Sequence, residues 1–177
     1  DRFELALFDM RNHGRNAPSG ADGHHYKQLS IDIGTVQQAI KQRLAPKQSI
    51  VGVFHSFSAR SAMKHAVEIG GGWDALFLYD PPNVPPRGPA LYEAMRAFEV
   101  RLVEFACNRP DRFDSPDGMV KYYRESRATA RWVPQAIEEM GRAVVRRDEA
   151  GWSLACQREL EGSIYLAALP LDLWPKA

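Results

Sequence analysis

Residues 50–60 read IVGVFHSFSAR, an apolar, β-branched run that ends in a short serine turn and passes directly into a helix-forming stretch. This is how a chain presents a nucleophilic serine. A strand stops, the backbone reverses with Ser56 at the apex, and a helix follows whose first amides face the reacting atom. On this reading Ser56 is the candidate nucleophile, and the Phe57 backbone N–H is a donor to an oxyanion. The competing reading makes Ser56 only the N-cap of that helix, a position serine favours.

Working outward, short strands and helices alternate. Phe3 to Phe8 (FELALF) reads as a buried strand. Residues 9–30, rich in Gly, Asn, Ser, His and Pro, read as a long loop. Ile33, Val36, Ile40 and Leu44 recur at helical spacing and predict a helix over 31–45, halted before Pro46. Ser49 to His55 is a second strand. Ala59, Ala62, Met63, Ala66 and Val67 line a helix face that ends at Gly70-Gly71-Gly72, and Ala75 to Tyr79 is a third strand closed by Asp80-Pro81-Pro82. Joints this short imply right-handed crossovers and a parallel sheet. The character changes at Pro81, where PPNVPP forms a stiff connector. Leu91, Met95, Phe98, Leu102 and Phe105 then mark a helix, 116–147 reads as helix interrupted at Pro134 and Gly141, and 161–169 is a last helical stretch. The expected organisation is α/β over 1–80 and mostly helical over 81–177.

Composition narrows the function classes. The 177 residues fit one domain, with 23 Lys plus Arg against 22 Asp plus Glu and a net charge of +1. That balance offers nothing to nucleic acid or to an anionic membrane. Two cysteines, Cys107 and Cys156, are not a disulfide framework, so a cytoplasmic location is expected. No apolar stretch is long enough to cross a membrane, and no basic-then-apolar leader is present. The first residue is Asp1 rather than Met and does not read as a translation start.

Three segments together resemble the α/β-hydrolase superfamily: DMRNHGRN (9–16), VFHSFSA (53–59) and ALFLYDPP (75–82). In that family the fourth strand leads into a D-x-R-x-H-G loop, the fifth ends in the serine elbow, and the sixth ends near an acidic residue. The resemblance implies the family's fourth to sixth strands followed by a helical cap over 81–177. The elbow departs from G-x-S-x-G, with Phe54 at the first glycine position and Ser58 at the second. Small residues are usual there because strand and helix pass closely, so Phe54 needs a local pocket or an opened turn.

The resemblance also assigns roles. Asp80 is a candidate triad acid, with a turn former before Pro81 as the alternative. His55, Arg60 and His13 are candidate substrate-binding residues. Arg60 could meet a substrate carboxylate, and its alternative is a solvated helix face. His13 more simply orders its own loop, and Asp9 is expected to organise that loop with Arg11. The family takes its base from a histidine after the acid, yet His13, His24, His25, His55 and His65 all precede Asp80. The family's third strand would lie between its fourth and fifth, and nothing before Asp1 fills that lane. Unpaired backbone groups there would each cost about 1–3 kcal/mol. Other polypeptide, from the same protein or another chain, is therefore expected to supply the early strands, an oxyanion loop and the histidine. The implied function is a serine hydrolase forming an acyl-enzyme at Ser56 on an ester or related carbonyl substrate. Its alternative is a non-catalytic protein of the same fold that binds a small ligand under the cap. No metal and no cofactor are expected, and no G-x-G-x-x-G follows the first strand.

Overall fold

A computed structural model describes residues 3–44, 47–88 and 90–176. Helix α1 (Tyr26–Arg43) begins earlier than its apolar periodicity indicates, because His25 caps it: the ring Nδ1 accepts from Gln28 N at 3.2 Å. Pro46, the expected stop, lies outside the described residues. Strand β1 (Val51–His55), helix α2 (Ser56–Glu68) and strand β2 (Ala75–Tyr79) follow as anticipated. The two strands pair in parallel, Val51 opposite Ala75 through His55 opposite Tyr79. Asp74 sets that register, accepting from Ile50 N through Oδ2 (2.7 Å) while its own N–H donates to Ile50 O (2.9 Å).

The sheet has two unlike faces. Phe54 points inward with Ile33, Ala59 and Ala62, and Leu76 and Leu78 pack against that cluster. Val51, Val53, His55, Phe77 and Tyr79 point the other way and are exposed, Val53 by 73% and Phe77 by 65%. The expected buried strand at Phe3–Phe8 is corrected: these residues form no strand, and Phe3, Leu5 and Leu7 are exposed. A strand exists only by pairing, and among the described residues β1 pairs with β2 alone. The segment is tethered where it ends, by Phe8 edge-on to Phe54 (6.1 Å) and by Met10 against the inner cluster.

After the proline connector come α3 (Ala90–Cys107), β3 (Arg112–Phe113), α4 (Pro116–Glu125), α5 (Pro134–Ala143), β4 (Val145–Asp148), β5 (Gly151–Leu154) and α6 (Arg158–Leu166). The expectation of helix over 116–147, interrupted at Pro134 and Gly141, is corrected in two places: α5 runs through Gly141, and the stretch ends in β4, which joins β3 and β5 in a small antiparallel sheet of order β3, β5, β4. Its hairpin turns at Gly151, with φ +123°, while Asp148 Oδ1 accepts from Ala150 N (2.9 Å). Strands this short, carrying Arg146 and Arg147, give little β signal. Met119, Val120, Tyr123, Ile137, Val145 and Leu154 bury one core beneath this sheet. A second core joins the two halves of the chain, with Tyr26 and Leu29 against Val84, Tyr92, Ile164 and Ala168. Cys107 and Cys156 are free thiols. Among the described residues no helix is long and apolar enough to cross a membrane.

The pocket that Phe54 requires is made by Gly52, two residues earlier on the same face. A Cβ on Gly52 would stand 2.7 Å from Phe54 Cε2 and 2.8 Å from Leu76 Cδ2. Gly52→Val should therefore displace the Phe54 ring and lower stability by about 1–3 kcal/mol. Urea unfolding measures that loss, and near-ultraviolet circular dichroism of Trp73, packed edge-on to Phe54 at 5.5 Å, reports the displacement.

Candidate active site

Strand β1 runs into α2 with no residue between them. Ser56 bears the reversal, with φ +53°, a left-handed conformation that costs an L-residue about 1–2 kcal/mol. His55, not Ser56, is the N-cap, so helix capping does not account for the serine. Ser58 braces the turn: its hydroxyl donates to His55 O (2.8 Å) and accepts from His55 N (3.2 Å), tying the strand's last residue to the helix's first turn. The Phe57 N–H lies in that same first turn, where helix amides have no intrahelical acceptor.

Asp80 repeats the pattern one lane away. It follows β2 directly, is exposed, and has φ +46°. Since His55 stands opposite Tyr79, Ser56 and Asp80 leave the sheet at the same edge on strands about 4.8 Å apart. Aspartate tolerates the left-handed region well, so a tight turn alone would also select it here. His55 is turned to the exposed face of the sheet, its ring 5.4 Å from that of Tyr79.

The loop over 9–25 closes against the elbow. Asp9 accepts from Arg15 N (2.9 Å) and packs on Gly14, where a Cβ would overlap its carboxylate. Arg11 does not pair with Asp9 as expected. It makes a bidentate pair with Asp32 of α1 at 2.8 Å per bond. Asn12, at φ +63°, organises the rest, accepting from Ser19 N (2.7 Å) and donating to Gly20 O (2.9 Å) and His24 Nδ1 (3.1 Å). His24 donates through Nε2 to Leu160 O (3.0 Å), so both ring nitrogens are spent. His65 is buried beneath Gly34. His13 donates through Nδ1 to Arg11 O (2.8 Å), the loop-ordering role expected of it, and its ring stacks on Phe57 at 5.2 Å and 28°. A carbonyl only accepts, so Nδ1 carries the proton and Nε2 is left as an acceptor beside the elbow.

Arg60 corrects the sequence reading. It is 1% exposed and faces neither solvent nor a cleft. Its guanidinium donates to Pro82 O (2.5 Å), Tyr26 Oη (2.7 Å) and Glu99 Oε1 (2.5 Å), joining α2 to α1, the connector and α3. Burial pushes the Glu99 carboxyl up from its ordinary value, and the Arg60 charge opposes that shift. Glu99 and Tyr26 gave no signal in the sequence beyond their places on helix faces. Asn12, immediately before the His13-Gly14 pair, was readable as a left-handed turn position.

No protein-family profile and no curated protein sequence matches the chain. Solved structures do. E-2-(acetamidomethylene)succinate hydrolase aligns over 95% of this chain and 56% of its own length, with TM-score 0.66 and 17% identity. A thioesterase domain from the curacin biosynthetic pathway aligns over 93% and 55%, with TM-score 0.62 and 16% identity. N-formylmaleamic acid deformylase of Pseudomonas putida S16 aligns over 93% and 54%, with TM-score 0.52 and 20% identity. The chain thus has the α/β-hydrolase fold and spans little more than half the length of these structures.

His24 should give stability a pH dependence. Burial lowers its pKa below the ordinary histidine value near 6.5, so across that range the unfolded chain binds the proton that the folded chain refuses. The contribution is fully present above about pH 6.5 and is lost as pH falls through the lower folded value. Urea midpoints measured between about pH 7.5 and 5 should fall, and His24→Asn should flatten that dependence.

Proposed function

We propose that this chain carries the nucleophile of an acyl-transfer hydrolase. The observation behind the reading is Ser56, held at φ +53° where a parallel strand becomes a helix. Such strain in a non-glycine residue exposes a hydroxyl at the sheet edge and aims a helix N-terminus at the atom bonded to it. In the proposed cycle Ser56 Oγ attacks an acyl carbon while its proton passes to a histidine base. The oxyanion rests on the Phe57 N–H and a second donor. It collapses with loss of the alcohol, thiol or amine, which takes the proton from the base. Water then attacks the acyl-enzyme, releasing the carboxylic acid and restoring the Ser56 hydroxyl. Asp80, on the neighbouring strand's edge, is the candidate to orient the base. The substrate class is an ester, thioester or amide. In support, the similar structures are named as a hydrolase, a thioesterase and a deformylase, and two of those names describe N-acyl compounds. Residues 81–177 act in this scheme as the cap that roofs the site.

The base and second oxyanion donor come, in this proposal, from further polypeptide that completes the sheet. The apolar outer face of β1 and β2 and the unpaired residues 3–8 favour that reading. Burying Val53 and Phe77 alone would contribute about 1.5–3 kcal/mol each.

Two measurements test these statements. A fluorophosphonate should add to Ser56 in the full-length protein, and Ser56→Ala should abolish the adduct and lower turnover by about 10³-fold or more. An unlabelled intact mass would favour a ligand-binding protein of this fold. Hydrogen exchange should find the amides of 51–55 protected in the full-length protein and faster-exchanging in residues 1–177 expressed alone. Equal protection in both would remove the case for a completing strand.

A further inference from the structure

His13 has a ring nitrogen that the fold does not use. Two contacts place its loop at the serine end of β1: Phe8 lies edge-on to Phe54 (6.1 Å), and His13 stacks on Phe57 (5.2 Å), the residue that follows Ser56. The ring is held in place there. Its Nδ1–H donates to Arg11 O (2.8 Å), and the His24 ring lies near-parallel to it at 6.3 Å. The backbone around it is fixed as well, with His13 N donating to Met10 O (2.9 Å) and Asn16 N donating to His13 O (3.1 Å). Among the described residues nothing bonds Nε2, and the atom is not buried as the orphaned Nδ1 of His65 is. Ordering the loop needs only Nδ1, a bond that an asparagine amide would also make, and stacking needs only a ring. Neither role uses Nε2, which stands as a fixed acceptor open to solvent at the elbow.

We propose that His13 is a specificity residue for the acyl part of the substrate, its Nε2 accepting a hydrogen bond from a hydroxyl or N–H on one of the two carbons next to the reacting carbonyl. An acceptor already held in position loses little freedom on binding. A substrate without a donor strips water from Nε2 and puts nothing in its place, so it binds less well. The inference rests on the hydrolase reading for turnover, and the contact itself is also measured without turnover.

The full-length protein is assayed at about pH 8, where a free imidazole is neutral, on two pairs of 4-nitrophenyl esters that exchange a hydroxyl for a methyl group. The pairs are lactate against isobutyrate and 3-hydroxybutyrate against isovalerate. In at least one pair the hydroxy ester should be preferred. His13→Asn keeps a donor for Arg11 O but has no Nε2, and it should reduce that kcat/KM ratio about tenfold, mostly through KM. His13→Gln, whose amide reaches the Nε2 position, should retain part of the preference. The ratio does not depend on how much of a variant folds. A wild type that prefers the hydroxy ester in neither pair, or a preference that survives in His13→Asn, overturns the proposal. A completing segment that occupies Nε2 would leave both ratios unmoved and overturns it equally. If no ester is hydrolysed, the hydrolase reading fails while the contact is still measured by calorimetric titration with the four corresponding primary amides. Tighter binding of a hydroxy amide that is lost in His13→Asn supports the proposal. No binding, or binding without preference, overturns it.

Discussion

A parallel strand and an antiparallel helix can meet without a linking residue only if one residue turns the chain through the left-handed region. Ser56 is that residue, and much of the surrounding structure exists to hold it there. Gly52 gives up its side chain so that Phe54 can lie inward where strand and helix converge. The Ser58 hydroxyl bonds both backbone groups of His55. Arg60, one turn further on, fastens the helix from behind through three elements at once. A conformational cost of about 1–2 kcal/mol is small beside these restraints, and packing one turn away keeps the apex from relaxing.

The parts of the fold legible in the sequence are those whose signals are local. The run 50–60, helices α2 and α3 and the proline boundary after β2 needed only their own residues to be read, although α3 buries Tyr92, Glu99 and Ala106 and leaves Leu91 and Phe98 exposed. Three things were not local. Residues 3–8 have the composition of a buried strand, but pairing is a property of two segments, and no described strand lies alongside. The sheet built from β3, β4 and β5 is made of strands too short and too charged to show alternation, and only Asp148 and Gly151 mark its turn. Helix α1 begins at a histidine cap, a residue weak enough in that role that composition favoured loop.

The same division runs through the site. Ser56, the Phe57 amide and the placement of Asp80 follow from strand ends, which a sequence displays. The fate of Arg60 did not. Its spacing from Ser56 suggested a cation near the chemistry, whereas Tyr26, Pro82 and Glu99, from distant stretches, converge on it where it is buried away from solvent.

The Arg60 fork has a mechanical meaning as well. Removing one partner of a buried ion pair costs about 3–5 kcal/mol, so the Arg60 bonds tie α1, α2, α3 and the start of the connector to one another. The polyproline stretch looks like a hinge, yet its first bend is pinned at Pro82 O. Opening the helical half about residues 81–82 would therefore have to break the Arg60 bonds to Pro82 O and Glu99.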